Sequence, residues 1–198
     1  MKVIGLTGGI CSGKSTIAKY FETLGARIVD ADKLGHAAYT QGTTCYEKLK
    51  EHFGMSIISE DATINRKALG DIVFSDPSQM RQLENIVWPE IKAMIEQRVT
   101  EEKNEEGLMI IEAAIAIEAG WTELFDKLIV VSVDRDTAIE RLQSRNGLSY
   151  DDALKRLNAQ MTNDERCSKA DVIIENSIEN SLEQIQLKVQ EIFASLSN

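Results

Sequence analysis

The sequence predicts an α/β domain built around a mostly parallel sheet of five strands. Short apolar runs alternate with longer helical patterns along its 198 residues, as in strands connected by helices. The runs are nearly continuous rather than alternating in polarity, so helices should cover both faces of the sheet. The predicted strands are Val3–Thr7, Arg27–Asp30, Leu108–Ala113, Leu128–Val133 and Asp171–Glu175.

The first strand leads into a glycine-rich loop. Residues 8–15 fit the pattern G-x-x-x-x-G-K-[ST], and a helical pattern follows them. Glycines let backbone N–H groups turn inward, and the next helix directs its positive end at the same point, which favours a nucleotide phosphate. Lys14 would reach the β- and γ-phosphates, and the Ser15 hydroxyl would be the Mg²⁺ ligand. The predicted nucleotide-binding residues here are Gly9, Ile10, Cys11, Ser12, Gly13, Lys14, Ser15 and Thr16.

Carboxylates follow the second and third predicted strands. Asp30 and Asp32 come after the second strand, and Glu112 comes after the third. Parallel sheets bind ligands beyond the carboxyl ends of their strands, where a carboxylate can accept a proton from a hydroxyl or hold Mg²⁺ through water. Helix capping explains Asp30 or Asp32 equally well, and an ion pair at the sheet edge explains Glu112 equally well. Both interpretations stay open at this point.

Residues 31–107, between the second and third strands, carry helical patterns rather than one short crossover. The patterned segments are Tyr46–Phe53, Arg66–Phe74, Ser78–Val87 and Pro89–Lys103. Since an ordinary crossover is much shorter, we expect a single domain with a core at 1–35 and 107–198 and a helical substrate lobe at about 36–106.

A helix predicted at Asp136–Arg145 carries two arginines four residues apart, hence on one face. The guanidinium groups of Arg141 and Arg145 suit phosphate oxygens, and the turn after them begins another helical stretch. We therefore expect a lid at about 141–160. Surface ion pairs with acidic neighbours are the alternative, and Arg156 and Arg166 are weaker candidates. A last amphipathic helix is predicted at Ser181–Leu196.

Charge and cysteine content exclude several classes of protein. Lys and Arg total 22 against 32 Asp and Glu, giving a net charge of −10 and a pI near 4.8. An acidic surface repels nucleic acid and anionic lipid, so neither is an expected partner, and no apolar run is long enough for a membrane span. Three widely spaced cysteines and two histidines predict a reduced, cytoplasmic protein without structural zinc.

Motifs along nearly the whole chain resemble one known family. They are residues 5–16, Asp30-Ala31-Asp32, residues 65–69 with Val73-Phe74, Arg141 with Arg145, Gln160, and residues 170–176. These segments resemble the dephospho-CoA kinase family, which catalyses the last step of coenzyme A synthesis. The resemblance implies a P-loop NTPase core of the nucleotide-monophosphate-kinase type, with an inserted helical substrate lobe and a lid.

The same resemblance implies a reaction and site roles. The γ-phosphoryl group of ATP would pass, with Mg²⁺, to the ribose 3′-hydroxyl of dephospho-CoA. Asp32, Lys14 and Arg141 would be catalytic, with Asp32 as the base, and Asp32 and Arg66 would meet the acceptor. Arg141 and Arg145 would meet phosphates, and Asn176 would lie beside the adenine. The oligomeric state stays open.

This chain departs from the usual bacterial pattern at three places. Trp88-Pro89 replaces His-Pro, residues 114–116 replace Pro-Leu-Leu, and Cys11 replaces a smaller loop residue. The first two places resemble the kinase domain of bifunctional CoA synthases. Another small-molecule or nucleoside monophosphate kinase is the alternative enzyme, and a panel of acceptors would separate the two. A nucleotide-dependent switch is disfavoured by the predicted lid and by the lack of a guanine-reading Asn-Lys-x-Asp motif.

Overall fold

The computed structural model describes residues 1–177 and 180–197. The chain divides into two compact units, which we call the core unit (Met1–Asp30 with Glu101–Asn198) and the inserted unit (Ala31–Thr100). The inserted unit begins and ends a few residues before the lobe predicted from the sequence. It begins earlier because a helix starts directly where the second strand ends.

A parallel five-stranded sheet forms the centre of the core unit, as predicted. Its strands are β1 (Lys2–Gly8), β2 (Arg27–Asp30), β3 (Leu108–Glu112), β4 (Lys127–Ser132) and β5 (Val172–Glu175). Their order is β2-β3-β1-β4-β5. All five residues of β3, and every residue of β1 after Lys2, are buried, which explains their continuous apolar sequences.

The strand register determines what reaches the carboxyl edge of the sheet. Glu112 at the end of β3 is paired with Leu6 of β1 on one side and with Asp30 of β2 on the other. Gly8, which ends β1, is paired with Val131 of β4. The loop after β1 and the Glu112 carboxylate therefore belong to the same edge, where the chain changes from one side of β1 to the other.

Helices of the core unit cover the sheet and carry the polar groups of its carboxyl edge. They are α1 (Lys14–Thr23), α6 (Arg135–Asn146), α7 (Tyr150–Asn158), α8 (Asn163–Cys167) and α9 (Leu182–Ser197). Ile17 and Phe21 of α1 and Val189 and Ile192 of α9 join the apolar cluster that contains Ile4 of β1. The helices predicted at Asp136–Arg145 and Ser181–Leu196 are present with ends shifted by one residue.

The inserted unit is helical. It contains α2 (Ala31–Ala38), α3 (Thr44–Phe53), the short 3-10 helix Met55–Ile57, α4 (Arg66–Ser75) and nearly all of α5 (Pro77–Glu101). The helical segments predicted separately at Ser78–Val87 and Pro89–Lys103 form one helix, since α5 runs through Pro89. A proline removes one intrahelical hydrogen bond, and the buried Val87, Ile91 and Ile95 hold the two halves in one helix. Among the helices described, none combines the length and apolar character needed to cross a membrane.

Candidate active site

The loop between β1 and α1 turns through two left-handed residues. Gly13, which precedes the first residue of α1, has φ 84°, and Cys11 has φ 57°. The Ser12 amide donates to the Gly9 carbonyl at 3.1 Å, which closes the turn. A Cβ atom on Gly13 would collide with the side-chain amide of Asn176, so glycine is required there by both backbone conformation and space. The turn delivers Lys14 and Ser15 to the positive end of α1.

Lys14, Ser15 and Glu112 form one hydrogen-bonded cluster. Lys14 Nζ lies 3.0 Å from Glu112 Oε1, and Ser15 Oγ donates to the same oxygen at 2.6 Å. The side chains of Lys14 and Glu112 are only 12% and 9% exposed, so their attraction is weakly screened by water. The ion-pair interpretation of Glu112 is therefore correct, and its partner is the lysine of the loop itself.

The donors in this cluster fit a magnesium ion. Mg²⁺ prefers oxygen ligands and usually takes one or two from protein and the rest from phosphate and water. The Ser15 hydroxyl and the Glu112 carboxylate meet that preference at the end of β3. Neither this cluster nor the rest of the described residues contains a group of three histidine, cysteine or acidic side chains arranged to hold a metal.

Three side chains from distant parts of the sequence bind the backbone of three consecutive loop residues, and we call these side chains the loop clamp. Arg141 of α6 donates to the Cys11 carbonyl at 3.1 Å, and Asn176 after β5 donates to the Ser12 carbonyl at 2.7 Å. Gln160 accepts from the Ile10 amide at 2.9 Å. Arg141 thus contacts the loop rather than an acidic neighbour, while Arg145, one turn further along α6, is exposed.

Asn176 contacts the loop in a way that the sequence pattern did not predict. Its side-chain oxygen also lies 3.5 Å from Arg141 Nη2, so the two clamp residues contact each other. The resemblance predicts that this asparagine lies beside the adenine, and in this structure its amide group donates to the Ser12 carbonyl. Its role toward the base stays a prediction.

The helix that carries Arg141 has well-defined ends. Asp134 caps α6 by accepting from the Thr137 amide at 2.8 Å and from the Thr137 hydroxyl at 2.6 Å, and these bonds lower the pKa of Asp134 to about 2. Gly147, with φ 65°, ends the helix, and Ser149 then caps α7. The Asp134 carboxyl therefore stays ionised at neutral pH, and the cap of the helix that carries Arg141 is retained there.

Apolar contacts join the same helices to the loop. Ile139 and Leu142 of α6 and Ala153 of α7 form a buried cluster against which Ile10 and Cys11 pack. Cys11 is half-buried. Its thiol therefore fills space between the loop and the α6–α7 pair.

Two predicted acceptor residues lie in the inserted unit. Asp32 is exposed in the first turn of α2, and Asp30 is the last residue of β2, directly before that helix. Arg66 is the first residue of α4, and its guanidinium lies 5.9 Å from the centre of the Tyr39 ring. Burial raises the pKa of the Tyr39 hydroxyl, and the charge of Arg66 opposes that rise.

Comparison with known proteins shows similarity over the full length of the chain. A profile described as dephospho-CoA kinase matches residues 2–182. A curated dephospho-CoA kinase of Geobacter sulfurreducens is 40% identical over 195 residues, covering 98% of either chain. The solved structure of TT1252 from Thermus thermophilus has a TM-score of 0.82 at 30% identity, covering 100% of this chain and 98% of that one. The dephospho-CoA kinase from Campylobacter jejuni has a TM-score of 0.75 at 28% identity, covering 98% and 96%.

Proposed function

The chain belongs to the dephospho-CoA kinase family, and we propose that it transfers the γ-phosphoryl group of ATP to the ribose 3′-hydroxyl of dephospho-CoA in the cytoplasm, with Mg²⁺, giving CoA and ADP. The observation that carries the proposal is the cluster of Lys14, Ser15 and Glu112 at the carboxyl edge of the sheet. It combines the cation and the oxygen ligands that phosphoryl transfer requires at the end of a glycine-rich loop.

Lys14 would leave Glu112 for the β- and γ-phosphate oxygens when ATP binds. Both partners of Lys14 are anionic, so its ammonium group exchanges one counter-charge for another rather than losing one. Its compact charge then stabilises the negative charge that grows on the bridging and γ-phosphate oxygens during transfer. Ser15 and Glu112 would hold Mg²⁺, directly or through water, and that ion would supply additional neutralisation of the phosphate charge.

The loop clamp would fix the geometry of the donor site. Because Arg141 and Asn176 bind the carbonyl oxygens of Cys11 and Ser12, the corresponding peptide units are oriented before the nucleotide arrives. Arg141 has further N–H donors for phosphate, and Arg145 would add a second guanidinium as the predicted lid closes. The charge of the nucleotide is thus met by a small basic region within an acidic protein.

Asp32 and Arg66 would act on the acceptor. A carboxylate in the first turn of α2 can accept the proton of the 3′-hydroxyl as the new P–O bond forms. Arg66 would bind an anionic group of dephospho-CoA through its planar guanidinium. Because the Tyr39 ring faces the Arg66 side chain, the guanidinium is oriented while its edge remains able to donate hydrogen bonds.

A panel of acceptors tests the proposal. ADP release coupled to NADH oxidation should be fast with ATP and dephospho-CoA, and at least about a hundredfold slower with AMP, adenosine or no acceptor, since only the correct acceptor is oriented for attack. Comparable rates with AMP would contradict the assignment and favour a nucleoside monophosphate kinase.

A further inference from the structure

Arg166 of α8 is a buried cation whose hydrogen-bonding capacity is not satisfied. The residue is 2% exposed, and its Nε is buried without a hydrogen-bond partner in the part of the chain that the structure describes. Its Nη2 lies 3.6 Å from Glu118 Oε1, which is close enough for an ion pair and too long for a good hydrogen bond. Burying a charge that is paired this loosely costs free energy, so Arg166 needs a further anionic partner.

The guanidinium lies against the phosphate loop. A Cβ atom built on Gly9 would come within 3.2 Å of Arg166 Nη1 and within 3.9 Å of Gln160 Oε1. Gln160 itself accepts from the amide of Ile10, the next residue of the loop. The unsatisfied cation is therefore adjacent to the first residues of the loop, on the core unit alone.

Hydrogen bonds fix the first turn of the short helix that carries Arg166. Thr162 and Glu165 form a reciprocal capping box, with the Thr162 amide donating to Glu165 at 3.0 Å and the Glu165 amide donating to Thr162 at 3.2 Å. Asn163 donates to the Ser132 hydroxyl at the end of β4 at 2.9 Å. This support positions Arg166 beside the loop before any ligand binds, as a preorganised binding group requires.

We propose that Arg166 binds a phosphate oxygen of the nucleotide on the loop and that Glu118 is its counter-ion in the nucleotide-free protein. The inference rests on the proposed function, because it assumes that the loop binds a nucleoside triphosphate. A guanidinium offers five N–H donors in a planar fork, and a phosphate group accepts from such a fork with charge-assisted hydrogen bonds. Glu118 is 29% exposed in its side chain, so its weakly held carboxylate can remain beside the cation after phosphate binds.

Binding of a non-hydrolysable ATP analogue tests the role of Arg166 without any acceptor. By calorimetry with Mg²⁺ at fixed salt, Arg166→Gln should weaken binding of AMP-PNP at least about tenfold, the effect of losing a charge-assisted hydrogen bond. The matched control is Arg27→Gln, which removes an arginine paired with Glu102 and Glu105 at the opposite end of the sheet. This control should stay within about twofold of the unmodified protein.

A folded Arg166→Gln variant that binds AMP-PNP as tightly as the unmodified protein would overturn the inference while leaving the proposed function intact. Failure of the unmodified protein to bind AMP-PNP would overturn both. Circular dichroism and the melting temperature establish that each variant is folded before its affinity is interpreted.

Glu118→Gln keeps the inference testable even if loss of the arginine prevents folding. This variant leaves Arg166 buried without its carboxylate, so the melting temperature without nucleotide should fall. AMP-PNP should then raise the melting temperature by more than it does in the unmodified protein, because the phosphate supplies the missing counter-charge. If Arg166 and Glu118 formed only a structural ion pair without contact to the nucleotide, AMP-PNP would raise the melting temperature of the variant and of the unmodified protein equally. Equal rises would therefore contradict our proposal.

Discussion

Replacing Lys14 by alanine should lower turnover with ATP and dephospho-CoA at least about a hundredfold, the magnitude expected for loss of one preorganised electrostatic donor. The substitution removes an ammonium group that lies 3.0 Å from the Glu112 carboxylate at the carboxyl edge of the sheet. It removes no core packing, so the secondary structure should be retained. Initial rates of ADP release and the melting temperature measure the two effects separately.

A second variant separates lost catalysis from lost stability. Lys14→Ala leaves the Glu112 carboxylate, which is 9% exposed, with the Ser15 hydroxyl but without its cation. That unpaired charge destabilises the protein, and adding Glu112→Gln removes it. The double variant should therefore regain melting temperature and remain inactive. Turnover at the unmodified rate in folded Lys14→Ala would show that the loop is not the site of transfer.

Asp32→Asn should lower turnover at least about a hundredfold and change affinity for AMP-PNP by less than about threefold. The amide has the volume of the carboxylate and keeps a hydrogen-bonding group, but it cannot accept the proton of the 3′-hydroxyl. Asp32 is exposed in the first turn of α2, so its replacement leaves the core of the inserted unit unchanged. Rates measured at saturating ATP and dephospho-CoA, with nucleotide affinity from calorimetry, check both statements.

Asp30→Asn is the comparison for that experiment. Asp30 is the last residue of β2 and is paired with Glu112 in the strand register, so it lies outside α2, the helix that carries the proposed base. Its replacement should therefore reduce turnover less than Asp32→Asn does. The reverse order, with Asp30 the more damaging position, would make Asp30 the base and contradict the role given to Asp32.

Elements of the sheet could be predicted because their sequence signal is local. Burial of β1 and β3 on both faces requires continuous apolar runs, and those runs are visible in the sequence. Helix α5 could not be predicted as one helix because Pro89 is a strong local signal for a break. The buried contacts of Val87, Ile91 and Ile95 outweigh that signal, and contacts between distant residues are not visible in a local pattern.

The residues of the candidate site also differ in how well the sequence predicts them. The loop and Lys14 follow from a fixed spacing that backbone geometry imposes, whereas the loop clamp joins residues more than a hundred positions apart. Arg141 and Cys11 are separated by 130 positions, and Asn176 and Ser12 by 164. Helical spacing could place Arg141 and Arg145 on one face, but only the tertiary structure distinguishes the arginine that contacts the loop from the exposed one. Burial of Arg166 likewise has no signal in the sequence.

The position of the transferred phosphate tests the central claim most directly. The purified protein is incubated with Mg²⁺, dephospho-CoA and ATP labelled in its γ-phosphoryl group, and the product is separated and treated with a nucleotidase specific for 3′-phosphates. Our account predicts that the label elutes with CoA and is released as inorganic phosphate, with dephospho-CoA regenerated. Label that resists the 3′-nucleotidase, or label found only in inorganic phosphate before that treatment, would contradict it.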